Sequence, residues 1–252
     1  MIHLDLIGIG TGNPKHLTLQ AVEAMNAADL ILIPHKGAQK DDLAALRYRI
    51  CRNVLTGETK IVQFDLPARD PAIPDYTARV EAWHDAIAAI WVGAIRENLG
   101  QTGRVAFLVW GDPSLYDSTL RIAERVARNL PLRPCVIPGI TSIQALTAAH
   151  AVPLNRLNAP VTITTGRRLR DEGWPHGADS LVIMLDGECS FRALDPDGLH
   201  IWWSAYAGMA EEITLSGPVA EVTEKIVDTR AKARARHGWI MDIYLLRYDT
   251  PA

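Results

Sequence analysis

The stretch LDLIGIGTGNPKHLTLQA, Leu4 to Ala21, leads from an apolar run of residues directly into three glycines, Gly8, Gly10 and Gly12. An apolar strand followed by a turn and a helix is typical of α/β proteins. Glycine in such a turn lets a ligand approach the backbone closely, because glycine carries no side chain. The stretch is therefore a candidate ligand site after the first strand of an α/β fold.

The spacing of these glycines departs from the dinucleotide-binding fingerprint G-x-G-x-x-G. The chain reads G-x-G-x-G followed by Asn13, and the nearby acid, Asp29, precedes the second predicted strand instead of ending it. Pro14 stands where backbone amides would have to face a phosphate. A nicotinamide-dependent oxidoreductase and a glycine turn without a ligand are two alternative interpretations of this stretch.

The composition is that of a globular protein. Of 252 residues, 48% are hydrophobic and 22% are charged, which is ordinary for a folded chain able to bury one or two cores. The formal net charge is −3, whereas nucleic-acid binding requires a dominant basic surface. We therefore expect no nucleic-acid partner.

The cysteines and histidines give no pattern typical of a disulfide framework or a metal site. Cys51, Cys135 and Cys189 lie far apart without C-x-x-C spacing, and the eight histidines show no H-x-x-x-H spacing. The beginning of the chain lacks a basic segment followed by a long apolar run, and runs such as VAFLVW (105–110) are too short to span a bilayer. The sequence therefore predicts a cytoplasmic protein with no metal and no membrane contact.

Helical and strand-like periodicities alternate along the first part of the chain. Strands are predicted at 3–9, 29–34, 104–110 and 132–137, and helices at 17–27, 41–54, 76–99, 117–129 and 140–149. After about residue 155, short strands without intervening helices predict a mixed sheet. We infer two α/β domains, 1–113 and 114–252, with an exposed loop at 65–75.

Two more glycine turns follow predicted strands. LVWGDPSLYDS (108–118) places Asp112 at the carboxyl end of a strand, which is where open α/β sheets bind ligands. VIPGITSIQA (136–145) brings the hydroxyls of Thr141 and Ser142 to a similar position. The alternative interpretations are an Asx turn in the first segment and helix N-capping in the second.

Together, GIGTGNPKHLT, GDPSLY and PGITS, in this order and at this spacing, resemble the S-adenosylmethionine-dependent tetrapyrrole methyltransferases. The resemblance covers nearly the whole chain. It implies a two-domain tetrapyrrole methylase fold with cofactor and substrate in the interdomain cleft, a polycarboxylate tetrapyrrole as substrate, S-adenosylhomocysteine as product, and a homodimer. The apolar IWW at 201–203 would belong either to the dimer contact or to a core strand.

Some residues distinguish branches within this family. The usual family motif is G-x-G-P-G-D, whereas this chain has Thr11 in place of the proline and Asn13 in place of the acid. Position 13 therefore supplies no catalytic carboxylate. With the arginine-rich segment 35–80 and WGDPSLYDSTLRI, this motif resembles the deacetylating branch. The resemblance implies C1 methylation of precorrin-5 to precorrin-6A with release of acetate. A precorrin methyltransferase without deacylation and a non-catalytic tetrapyrrole carrier are the alternatives.

The resemblance also implies which residues contact the cofactor. Small turns and strand ends would surround its adenine and methionine groups. These residues are Thr11, Trp110, Gly111, Asp112, Leu115, Thr141, Ser142, Leu185, Ala205 and Tyr206.

Deacylation and substrate binding require further groups. Addition of water to an acetyl carbonyl needs a base or a water-positioning group, and the candidates are Asp112, Tyr116 and His35. Guanidinium groups pair well with the carboxylates of the substrate, although a run of charges can equally form a solvated face. The candidate arginines are Arg47, Arg49, Arg52, Arg167 and Arg168.

Overall fold

The structure is a computed structural model that describes residues 1–35 and 41–249. Its contacts divide the chain into two compact units, Met1–Thr141 and Ser142–Ala252. Each unit contains its own five-stranded sheet. The alternation of strands and helices confirms the predicted α/β class.

The sheet of the first unit is entirely parallel, with strand order β3-β2-β4-β1-β5. Its strands are β1 (Ile2–Gly8), β2 (Leu30–His35), β3 (Lys60–Asp65), β4 (Gly103–Val109) and β5 (Leu132–Ile137). The helices that follow in the same unit are α1 (Leu19–Ala27), α2 (Asp41–Val54), α3 (Tyr76–Leu99) and α4 (Thr119–Val126). The parallel arrangement brings the carboxyl ends of all five strands to one edge.

Helices cover both faces of the three central strands, β2, β4 and β1, so these strands are buried on both sides. Helices α3 and α4 pack on the face that carries Leu4, Leu6 and Phe107. Helices α1 and α2 pack on the opposite face, which carries Ile7 and Leu108. This double burial explains the continuous hydrophobic runs at 30–33 in β2 and 105–109 in β4.

The boundary between the units differs from the predicted one at 113/114. Strand β5 pairs with β1 from Ile2↔Leu132 to Ile7↔Ile137, so it belongs to the first sheet. The prediction of a boundary near Pro113 was wrong, because periodicity does not show which strand a later strand will pair with.

Local patterns located most of the elements of the first unit. Helices α2 and α3 occupy the predicted residues 41–54 and 76–99, and 65–75 is a largely exposed connection. Strand β3 was not predicted. It lies at the sheet edge, and among its six residues only Phe64 is buried, so it lacks a clear apolar pattern.

The second unit contains a mixed sheet with strand order β6-β7-β10-β8-β9, as the sequence predicted. Strands β6 and β7 are parallel, and the remaining pairs are antiparallel. The strands are β6 (Val161–Thr165), β7 (Ser180–Met184), β8 (Leu199–Ala205), β9 (Ile213–Pro218) and β10 (Asp242–Tyr248), and the helices are α5 (Ser142–His150), α6 (Gly166–Glu172) and α7 (Val219–His237).

The IWW segment lies in β8, in the interior of the second unit. Ile201 and Trp203 are fully buried in its core, and Trp202 is half-buried. This arrangement matches the core-strand interpretation of the segment. Among the described helices, none is both long and apolar enough to cross a membrane.

His84 in α3 makes the stability of the first unit depend on pH. Its side chain is buried, and neither ring nitrogen has a hydrogen-bond partner among the described residues. Burial, followed by the positive charge of Arg125, lowers the pKa of His84. The unfolded chain, with a histidine pKa of about 6.5, therefore binds the proton more readily than the folded chain.

We expect the stability associated with His84 to be fully present above about pH 6.5 and to be lost as the pH falls below that value. The variant His84→Leu should show a weaker decrease in unfolding free energy between about pH 7 and about pH 5. Urea unfolding of both proteins across this range measures the difference. Parallel pH profiles would contradict this role for His84.

Candidate functional site

Three glycine turns follow β1, β4 and β5, which are adjacent strands in the first sheet. Their backbones approach so closely that no side chain fits between them. A Cβ atom on Gly8 would lie 2.6 Å from the Gly139 nitrogen and 2.8 Å from the Gly111 oxygen. A Cβ atom on Gly139 would overlap that same oxygen and lie 2.8 Å from the Gly8 Cα. Glycine at positions 8 and 139 is therefore required by packing.

A pair of backbone hydrogen bonds joins the first two turns. Gly10 donates to the Gly111 carbonyl at 3.3 Å, and Gly111 donates to the Gly10 carbonyl at 2.8 Å. Both residues have positive φ, +72° and +59°, which glycine adopts without strain. We call Gly8, Gly10, Gly111 and Gly139 the glycine cradle.

Asp112 fastens the second turn to the third. Its Oδ2 accepts a hydrogen bond from the Gly139 amide at 2.9 Å, and its Oδ1 accepts two from the amide and hydroxyl of Ser114. Partial burial opposes ionisation, but these hydrogen bonds outweigh it and hold the pKa of Asp112 below its ordinary value. The carboxylate is thus ionised at neutral pH and holds two turns together.

The departures from the family motif in the first turn have structural roles. The Asn13 side chain accepts a hydrogen bond from the Lys15 amide at 3.0 Å and caps the short 3₁₀ turn Pro14–His16. Thr11 is buried, and its hydroxyl lies 3.2 Å from Nδ1 of His16. Asn13 therefore shapes the turn, as an acid at the same position could.

A cavity of about 230 Å³ lies beside the second turn, entirely within the first unit. Its walls are mostly apolar, and because they include the rings of Trp83, Trp91 and Trp110 we call it the aromatic cavity. The side chain of Arg47 lies 5.5 Å from the centre of the Trp110 ring and donates from Nε to the Leu108 carbonyl at 2.9 Å. The cavity thus combines apolar walls with one cationic side chain.

In the second unit, β7 and β8 end at one edge on either side of β10. Leu185 follows β7 with a φ of +54° and is 67% exposed, which is unusual for a leucine. The next residue, Asp186, is buried and accepts hydrogen bonds from Tyr244 and from the amide and hydroxyl of Ser190. These bonds, acting against burial, lower the pKa of Asp186.

The sequence model of one protein family, described as Tetrapyrrole (Corrin/Porphyrin) Methylases, matches residues 3–223 of the chain. The chain belongs to this family. This methylase is also 51% identical, over 96% of its length and 94% of the relative's, to a precorrin-6A synthase [deacetylating] from Sinorhizobium sp..

Solved structures support the same assignment. The methylase resembles a putative cobalamin synthesis related protein (CobF) from Corynebacterium diphtheriae, with a TM-score of 0.84, 38% identity, and coverage of 98% and 99% of the two chains. It shares its fold with uroporphyrin-III C-methyltransferase from Thermus thermophilus, solved with S-adenosylhomocysteine, at a TM-score of 0.61 and 19% identity over 97% of each chain.

The structure brings together the predicted cofactor residues of the methylase's first unit. A Cβ atom on Gly111 would lie 3.7 Å from the Thr141 Cα, and Thr11 follows the bridged Gly10. Leu115 donates its amide to the Asp112 carbonyl at 3.2 Å, within the same turn. The ordered turn motifs of the sequence therefore lie side by side in this unit, and their contact with the cofactor stays a prediction.

The predicted cofactor residues of the second unit differ in accessibility. Leu185 is exposed, and Ser142 begins α5. Ala205 and Tyr206 have side chains buried in the core, and the Tyr206 hydroxyl donates to the carbonyls of Trp239 and Ala233. The side chains of residues 205 and 206 are therefore occupied in packing.

The candidate catalytic residues lie in different surroundings. Both carboxylate oxygens of Asp112 accept hydrogen bonds, which favours a positioning role over proton transfer. His35 ends β2, and its Nδ1 lies 2.9 Å from Oδ1 of Asp65 at the end of β3. Tyr116 is 46% exposed with a φ of +49°. The pairing of His35 with Asp65 was not predicted, because β3 itself was missed.

The structure separates the candidate arginines. Arg47 lines the cavity, whereas Arg49 and Arg52 of the same helix are exposed. Arg167 and Arg168 are exposed on α6, and Arg168 forms an ion pair with Glu172 at 2.8 Å. The sequence contained a pattern that could have distinguished Arg47 from the other arginines. Arg47 is three residues after Ala44 and four before Cys51, so it lies on the same face of α2 as these two buried residues.

Proposed function

We propose that this chain is an S-adenosylmethionine-dependent C-methyltransferase of corrin synthesis that converts precorrin-5 to precorrin-6A by C1 methylation with release of acetate. The observation that carries the proposal is the glycine cradle, within a chain that is 51% identical over 96% of its length to a precorrin-6A synthase [deacetylating]. The two departures from the usual turn motif leave that cradle intact.

The residues of the first unit fit the proposed cofactor. Gly111 and Thr141 adjoin each other at the carboxyl edge of the first sheet, where each is only half-buried. The nearby ionised Asp112 favours a sulfonium cation over a phosphate. S-adenosylmethionine supplies the methyl group, and the protein holds donor and acceptor carbon in line, a contribution worth up to about 7–11 kcal/mol in favourable systems.

Deacylation requires a group that positions or deprotonates water, and we assign this role to His35. A carboxylate partner fixes the orientation of an imidazole and supports it as a base, and Asp65 provides that partner. Tyr116, at the start of the segment leading to α4, is the second candidate. Asp112 contributes by fixing the turn that carries both cofactor contacts and Tyr116.

We further propose that the protein acts in the cytoplasm as a homodimer on a polycarboxylate tetrapyrrole. The exposed Arg49, Arg52, Arg167 and Arg168 are the candidate partners for the outer carboxylates of the substrate. Size-exclusion chromatography with light scattering measures the oligomeric state directly.

The decisive experiment incubates the purified protein with precorrin-5 and methyl-labelled S-adenosylmethionine and measures label transfer and acetate together. We expect one labelled methyl group and one acetate per product molecule. Methylation without acetate would indicate a non-deacylating precorrin methyltransferase. Macrocycle binding without turnover would indicate a carrier, and quenching of NAD(P)H fluorescence without methyl transfer would indicate an oxidoreductase.

A further inference from the structure

Two tryptophans that line the aromatic cavity carry indole N–H donors that no described residue satisfies. Trp91 is 2% exposed, and its indole N–H is buried without a partner among the described residues. The indole N–H of Trp110 is in the same situation. A buried donor left unpaired is destabilising, and two such donors on residues that line one cavity favour a ligand with acceptor atoms.

Arg47 adds a positive charge to the same cavity. Burial lowers the pKa of Arg47 to about 10, against the opposing influence of Asp117, so the guanidinium remains a cation at neutral pH. Its Nε is engaged with the Leu108 carbonyl, which fixes the side chain against the cavity wall. A cation held in apolar surroundings favours an anionic or strongly polarised oxygen.

The carboxylate of Asp117, which also lines the cavity, caps the start of α4. Oδ1 of Asp117 accepts hydrogen bonds from the amide of Thr119, at 2.7 Å, and from its hydroxyl, at 2.5 Å, at the start of α4. Apart from Ser118 and Thr119, the remaining walls are apolar and include Phe107, whose ring centre lies 3.7 Å from that of the stacked Trp91 ring. The cavity therefore suits a small group with an apolar end and oxygen atoms that accept hydrogen bonds.

We propose that this cavity binds the two-carbon acyl group of the substrate and then the acetate formed from it. Water gives a proton to the base and adds to the acyl carbonyl carbon; the bond from that carbon to the macrocycle then breaks, and its electron pair stays on the ring carbon that takes the methyl group. Arg47 and the indole N–H groups of Trp91 and Trp110 donate to its oxygen atoms, and the aromatic walls contact its methyl group. This inference rests on the proposed deacetylating function, and it gives Arg47 a role distinct from that of the exposed arginines.

The test uses acetate as the probe and the indole N–H signals of the intact protein as the readout, in ¹⁵N-correlated NMR spectra. The chain has seven tryptophans, and Trp91→Phe and Trp110→Phe identify the two relevant signals by their disappearance. On addition of sodium acetate, both signals should shift in a saturable manner with a common Kd. Sodium chloride at equal ionic strength should leave them in place.

Arg47→Met should raise the Kd for acetate by about tenfold or more, since the charge-assisted hydrogen bonds are lost. Arg133→Met, which removes an exposed arginine from β5, is the matched control and should leave the Kd unchanged. If Arg47→Met does not fold, Trp91→Phe and Trp110→Phe keep the proposal testable, because each should weaken acetate binding without loss of the cation.

The outcomes also distinguish this inference from the proposed function. Calorimetric binding of S-adenosylhomocysteine with no acetate-dependent shift of the two indoles would overturn the acyl site and leave the methyltransferase intact. A shift of both indoles by S-adenosylhomocysteine, but not by acetate, would assign the cavity to the cofactor and likewise overturn the inference. Failure to bind S-adenosylhomocysteine would count against the proposed function itself.

Discussion

Replacement of Gly139 by alanine is expected to abolish S-adenosylhomocysteine binding and to lower the free energy of unfolding by about 3 kcal/mol or more, at the upper end of the cost of overpacking. The new methyl group would overlap the Gly111 carbonyl and lie 2.8 Å from the Gly8 Cα. Both neighbours are backbone, so no side chain can rotate away. Relief requires separation of two strand ends, which would also break the hydrogen bond from Gly139 to Asp112.

Gly93→Ala is the matched control for this substitution. Gly93 lies in α3, and nothing stands within 4 Å of a Cβ atom placed on it. This variant should leave ligand binding unchanged and raise the unfolding free energy by up to about 1 kcal/mol, because alanine is the better helix former. Urea unfolding and calorimetry with S-adenosylhomocysteine measure both effects. A Gly139→Ala protein that bound the ligand as the natural chain does would refute the cradle as a cofactor element.

Replacement of Arg230 by methionine is expected to destabilise the second unit by about 3–5 kcal/mol, the usual cost of leaving one partner of a buried ion pair alone. Arg230 Nε lies 2.9 Å from Oδ2 of Asp242, and the two side chains are 12% and 7% exposed. Arg230 also donates to the Asp186 carbonyl at 3.0 Å. Burial raises the pKa of Asp242 even with Arg230 beside it, so the unpaired carboxylate would be costly.

A double variant and a surface control distinguish the cost of an unpaired buried charge from the cost of losing the arginine side chain itself. In Arg230→Met/Asp242→Leu neither charge of this pair is left buried without its partner, so most of the lost stability should return, although the Trp203 indole loses its acceptor. Lys232→Met removes an exposed partner of Asp228 on the same helix and should change the unfolding free energy by less than about 1 kcal/mol. Equal losses for Arg230→Met and Lys232→Met in denaturant unfolding would contradict this account.

Much of the fold could be predicted from local patterns. The helices at 41–54 and 76–99 followed from their periodicity, and the α/β class followed from apolar strands that alternate with helices. Strand β3 could not be predicted in this way, because an edge strand with one buried residue carries little periodic signal. The boundary near residue 113 failed for a different reason, since the pairing of β5 with β1 is a long-range choice.

The candidate site also combines features that local patterns predicted with features that depend on tertiary contacts. The order of three glycine turns indicated Gly111 and Thr141 as ligand neighbours, and the structure brings them together. The pairing of His35 with Asp65 depends on the register of two parallel strands. The difference between Arg47 and the exposed Arg49 depends on which face of α2 meets the sheet.

The sequence by itself determined the α/β class, the mixed second sheet and the three turns of this methylase, because these features are encoded in short-range periodicity and in glycine and proline positions. Only the tertiary structure decided why Gly8 and Gly139 must be glycines, how Asp112 is used, and which arginine enters the aromatic cavity. Those properties arise from contacts between residues far apart in the chain, where backbone distance and burial set the energy. Local patterns carry no measure of either quantity.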